Sequence, residues 1–119
     1  MSTPARTSFW NPDVALAGLG GDHDLFRDMM RIFLEDAPKQ LQTLRKAVET
    51  GNSSDAEHAA HRLKGDLGYL KAADAADCAR KLEDAGHNRD LSHAAAMLGT
   101  LEVDLEAIFS TMRAACGDE

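Results

Sequence analysis

The chain has few of the features that mark several large protein classes. Its 119 residues include only two cysteines, Cys78 and Cys116, with no Cys-x-x-Cys spacing. That excludes a disulfide framework and leaves two reduced thiols, with Cys78 placed to fill a helical core. Positive charge is also scarce: 13 Lys and Arg stand against 20 Asp and Glu, for a net charge of -7. No basic face is available to neutralise a phosphate backbone, so nucleic acid is excluded as a partner. No apolar run approaches the roughly 20 residues that span a bilayer, and the opening MSTPARTSFW has no apolar core of a signal peptide. The expectation is a cytoplasmic protein with no membrane association. Finally, no stretch alternates apolar and polar residues with β-branched enrichment, which leaves no strand to build a sheet.

What is present is helical periodicity. A hydrophobic content of 44% suits a single domain with a real core. The expected domain is 1–119, with 1–10 as a flexible N-terminal segment and 116–119 as a tail. Asn11 and Pro12 begin a short helix that ends at Gly20-Gly21, with Phe9 and Trp10 folding back onto the domain. Leu25, Phe26, Met29, Met30 and Phe33 form the stripe of the next helix, and Pro38 is expected to break it before another helix begins. That helix carries Leu41, Leu44 and Val48 and closes at Gly51. Ser54 and Glu57 read as a capping box opening the central helix. Ala75, Cys78, Leu82 and Ala85 mark a helix ending at Gly86. Leu91, Ala94, Leu98, Leu101, Leu105, Ile108 and Met112 mark a long last one. The fold class is all-α: an antiparallel four-helix bundle with a short additional N-terminal helix.

The central segment AAHRLKGDLGYLKA, residues 59–72, holds the functional signal. At about 100° per residue, Ala56, Ala59, Ala60, Leu63, Leu67 and Leu70 gather on one side, and His61 falls well off it. Lys64, Gly65 and Gly68 share the histidine's side. Each glycine costs about 1 kcal/mol relative to alanine in a helix interior. Helical side chains lean toward the N-terminus, so the residue at i+4 would ordinarily cover the surface beside the imidazole; Gly65 leaves it bare. A bare backbone beside an exposed ring admits another protein, and a cation one turn away suits a phosphoryl group.

AHRLKG at 60–65, preceded by a helical hairpin and followed by CARKLEDAG at 78–86, resembles the histidine-containing phosphotransfer (HPt) domain family, whose pattern is His-x-x-Lys-Gly with a Leu-Glu-type segment in the next helix. The likeness covers roughly residues 12 to 115. It implies that His61 is the phosphoacceptor, that Lys64 steadies the phosphoryl charge, that Gly65 and, further along, Gly68 give steric access, and that Glu83 orients the imidazole. It also implies a phosphocarrier rather than a turnover enzyme. The carrier would take a phosphoryl group from an aspartate on the receiver domain of a hybrid histidine kinase and pass it to the receiver of a response regulator. It would need no cofactor of its own, Mg²⁺ being expected on the receiver, and would act as a monomer. Two positions depart from the pattern: Asp66 stands where a small residue is usual after the Lys-Gly pair, and Lys71 where a glycine usually precedes the next helix.

Two other readings compete. One is an HPt-like helical adaptor that binds a partner through the same face without carrying phosphate; the intact His61, Lys64 and Gly65 oppose it. The other is a metal site at Glu57, His58 and His61, opposed by their outward direction and by the lack of a second Glu-x-x-His pair. His23, His87 and His93 read as solvated or helix-end residues. Val14, Leu16, Leu19, Phe26 and Met30 are the expected apolar docking patch.

Overall fold

The protein is described by a computed structural model over residues 10–115. These residues form five helices: α1 Pro12–Gly18, α2 His23–Thr50, α3 Ser53–Tyr69, α4 Ala73–His87 and α5 Ala94–Ala115. Helices α2 to α5 make the four-helix bundle, each packed on the next and α5 closing back onto α2, while the short α1 lies against α2 and α5. No described helix is long and apolar enough to cross a membrane. The expected tail 116–119 and Cys116 lie outside the described residues, as does the expected flexible segment except for its last residue.

That last residue, Trp10, is an anchor. Its indole Nε1–H donates to the carbonyl of Leu70 at 2.6 Å, and its ring tilts against Phe26 at 6.2 Å between centroids. The carbonyl belongs to the C-cap residue of α3, so one of the unpaired acceptors that every helix end carries is satisfied by the chain's opening segment. Asn11 caps α1 by accepting from the Asp13 amide, with Pro12 at the first helical position, as the sequence predicts.

The expected break at Pro38 does not occur. α2 runs through it for 28 residues. The pyrrolidine is exposed, and the buried residues Phe26, Met30, Phe33, Ala37, Leu44 and Ala47 keep one helical phase on both sides of it. A proline removes one backbone hydrogen bond locally; the continuous apolar stripe packed on the core outweighs that loss.

Three helix ends also differ from expectation. The cap of α3 is Asn52, whose side chain accepts from the Asp55 amide, rather than the Ser54–Glu57 box; the Glu57 carboxylate is engaged across the seam by His87. α4 continues through Gly86 to His87, and the left-handed turn after it is taken by Arg89 at φ 55°. Gly86 serves a different purpose. A Cβ there would stand 2.7 Å from both the Glu57 nitrogen and the Ser53 oxygen. Only hydrogen lets the start of α3 approach α4 this closely. The last helix begins at Ala94, with Leu91 half-buried before it.

The buried face of α3 is Ala56, Ala59, Ala60, Leu63 and Leu67, and that of α4 is Ala75, Cys78, Ala79, Leu82 and Gly86. Small residues on both surfaces bring the helices close. Side chains flanking the seam can therefore reach from one helix to the other.

Candidate functional site

His61 lies on the open flank of this seam with its side chain 66% exposed. It is off the core face because its neighbours in the helical wheel, not the histidine itself, carry the buried alanines and leucines. Its Nδ1 lies 2.7 Å from Glu83 Oε2 on α4. The other oxygen of the same carboxylate, Oε1, is 2.7 Å from Lys64 Nζ. Glu83 thus holds both residues at once and is itself only 18% exposed. The Lys64 ammonium, ahead of the His61 ring, holds the Glu83 carboxyl below the usual carboxylate range, with burial opposing. An ionised carboxylate can only accept, so Nδ1 carries the hydrogen, and in the neutral ring the lone pair is on Nε2.

Gly65 and Gly68 lie beyond the histidine on the same exposed flank, and a Cβ at either would meet nothing within 4 Å. Among the described residues no steric reason requires glycine there. The two line an open hollow with Gly18, Leu19, Tyr69 and Lys71. Lys71 follows the C-cap of α3 with φ at 61°, in the left-handed region that favours glycine, and its side chain reaches over Gly18. The structure therefore brings His61, Lys64 and Glu83 into hydrogen-bonding contact, and sets Gly65 and Gly68 as the bare ground beside them.

A second imidazole–carboxylate pair lies farther along the seam in reversed order, with His87 Nδ1 3.1 Å from Glu57 Oε2. His87 was legible only as a helix-end residue, because its partner lies 30 positions away. Glu57 and His61 are thereby engaged by different α4 residues, and no group of three or more His, Cys, Asp or Glu able to hold a metal ion occurs among the described residues.

The expected apolar patch needs correction. Phe26 and Met30 are core residues, 7% and 2% exposed, and Leu16 and Leu19 are partly buried against that core. Val14 remains open, and the sequence reading missed Ile32 and Tyr69, which are 64% and 69% exposed. The available signal was an apolar residue lying off the buried stripe of its own helix.

Fold and site together define the class: an all-α bundle with a solvent-facing imidazole and a lysine held by the same carboxylate on an open helix face. Comparison of the sequence with protein families gives the match Hpt domain over residues 28–115, and the chain belongs to that family. Membership supports a phosphotransfer role in phosphorelay signalling. Among solved structures, histidine-containing phosphotransfer protein B from Pseudomonas aeruginosa PAO1 is similar at 21% identity and a TM-score of 0.84, over 95% of this chain and 99% of that one. The HPT domain of a sensor hybrid histidine kinase from Shewanella is similar at 15% identity and a TM-score of 0.82, over 92% of this chain and 94% of that one. At those identities the likeness concerns the fold. No curated protein matches the sequence.

Proposed function

We propose that this chain is a phosphocarrier between receiver domains, with His61 as the residue that holds the phosphoryl group. The observation that carries the reading is the Nδ1–Glu83 hydrogen bond at 2.7 Å on a ring that is two-thirds exposed. It supports a reading in which the neutral ring keeps its hydrogen on Nδ1 and presents Nε2 as the nucleophile.

In the forward step the Nε2 lone pair attacks the phosphorus of an aspartyl phosphate on the docked receiver. The phosphorus–oxygen bond to that aspartate breaks, and its electron pair leaves on the aspartate carboxylate. The imidazole gains positive charge, which its Nδ1–H shares with ionised Glu83. Lys64, on a flexible stem beside the ring, balances the phosphoryl oxygens. Transfer to a second receiver runs the same step backwards, so the carrier ends unchanged. Gly65 and Gly68 leave room for the receiver's approach. Mg²⁺ belongs to the receiver in this reading, the carrier acts as a monomer in the cytoplasm, and the donor and acceptor are receivers of a hybrid kinase and a response regulator.

The test is phosphotransfer profiling of wild type and His61→Gln against phosphorylated receivers. His61→Gln should accept no phosphate while its helical circular dichroism stays that of the wild type, since the residue is off the core. Labelling that persists in the variant overturns the assignment.

A further inference from the structure

Asp66 is a charged residue near the site that the phosphoryl chemistry leaves unused. It lies on the α2 side of α3, half-buried at the rim of a cavity of about 100 Å³ walled by Met29, Ile32, Phe33, Tyr69 and Leu70. Among the described residues none donates a hydrogen bond to its carboxylate. Burial, with Asp36 adding like charge, pushes its carboxyl above the usual carboxylate range, and Arg62 opposes only in part. Arg62 is engaged with Asp36 at 3.4 Å. A carboxylate that has lost part of its water without gaining a donor is held at a cost. Beside it stand the apolar side chains of Ile32 and Tyr69, both largely open to solvent.

We propose that this cavity seats one long basic side chain, lysine or arginine, from the receiver that docks over His61, with its aliphatic stem on Ile32, Phe33 and Tyr69 and its cation on Asp66. The inference rests on the phosphocarrier reading. Charge and shape together select the occupant. An apolar stem ending in a cation matches apolar walls with a carboxylate at the rim, and the chain as a whole carries a net charge of -7. A purely apolar or an anionic occupant would cover Asp66 and leave its charge unpaired. The position also fits. Tyr69 lines both this cavity and the hollow over Gly65 and Gly68. It lies eight residues beyond His61, about 12 Å along the helix axis. A partner covering roughly 800 Å² of this surface, a disc about 16 Å in radius, spans that separation. A receiver that docks on His61 and extends over the α2 side of α3 reaches the cavity by way of Tyr69.

The experiment measures transfer to His61 from receiver domains of the same genome, each phosphorylated with acetyl phosphate, at varied receiver concentration and at low and physiological salt. Asp66→Asn should raise the KM for the receiver about tenfold at low salt, the effect of losing a partly exposed charged hydrogen bond, with the maximal rate unchanged. The salt dependence of KM should flatten in the same variant. Asp66→Lys should raise KM further, and Asp66→Glu should restore it toward wild type. A KM that Asp66→Asn leaves unchanged, for receivers that do label His61, overturns this inference and leaves the phosphocarrier reading standing. If no receiver labels His61, both are overturned.

Discussion

Gly65 offers the sharpest separation of stability from function in this protein. It is exposed in the interior of α3, and a Cβ added there meets nothing within 4 Å. Gly65→Ala removes the backbone-entropy cost of glycine and should stabilise the protein by up to about 1 kcal/mol. For a domain of this size that corresponds to a rise in Tm of about 4 °C. Gly65→Gln should stabilise nearly as well, glutamine being a good helix former. The side chain at this position leans back over the turn that carries His61. If a receiver aspartate must come within bonding distance of Nε2, the glutamine amide stands in its path. Displacing reacting atoms by about 1 Å can cost about a hundredfold in rate, so Gly65→Gln should transfer phosphate about a hundredfold more slowly, with alanine intermediate. Gly86 is the internal contrast. Its Cβ would stand 2.7 Å from backbone atoms of α3, so Gly86→Ala should destabilise by about 1–3 kcal/mol through overpacking. Thermal melting by circular dichroism, set against the transfer rate for each variant, checks the whole scheme. A Gly65→Gln protein that melts higher and still transfers at the wild-type rate refutes the access argument.

Three further outcomes follow from the backbone and the charge cluster. Lys71→Gly should raise stability by about 0.5–1 kcal/mol, because the residue occupies the left-handed region at φ 61°; a lower urea midpoint would mean that its packing over Gly18 outweighs the strain. Pro38→Ala should stabilise α2 by at least about 1 kcal/mol by restoring one helix hydrogen bond at an exposed position; an unchanged melting temperature would refute that. Glu83 has its carboxyl lowered by Lys64 and His61, so its contribution is full above the usual carboxylate range and is lost as pH falls through the lowered value. The stability gap between wild type and Glu83→Gln should accordingly close on acidification, and a gap that is constant with pH would show that the ion pairing contributes nothing.

The sequence by itself determined the helical class and the face of α3 that is buried, because a helix repeats every 3.6 residues and apolar side chains must leave water together. From this followed the outward position of His61, with Lys64, Gly65 and Gly68 on its side. The stripe across Pro38 is legible too, since Phe33, Ala37 and Leu44 keep one phase, but proline's local bias against a helix interior points the other way. What tertiary structure alone decided lies between helices. The length of α2 was settled by packing on both sides of an exposed proline. The role of Gly86 depended on the approach of a backbone some 30 residues distant, which no periodicity records. The pairing of Glu83 with His61 spans 22 positions; the family resemblance placed the residue near the ring, while the shared grip on Lys64 emerged only from the three-dimensional seam. Local spacing fixes direction about one helix axis, whereas contacts across a seam depend on the distance and register of two helices, and here small side chains on both faces set them.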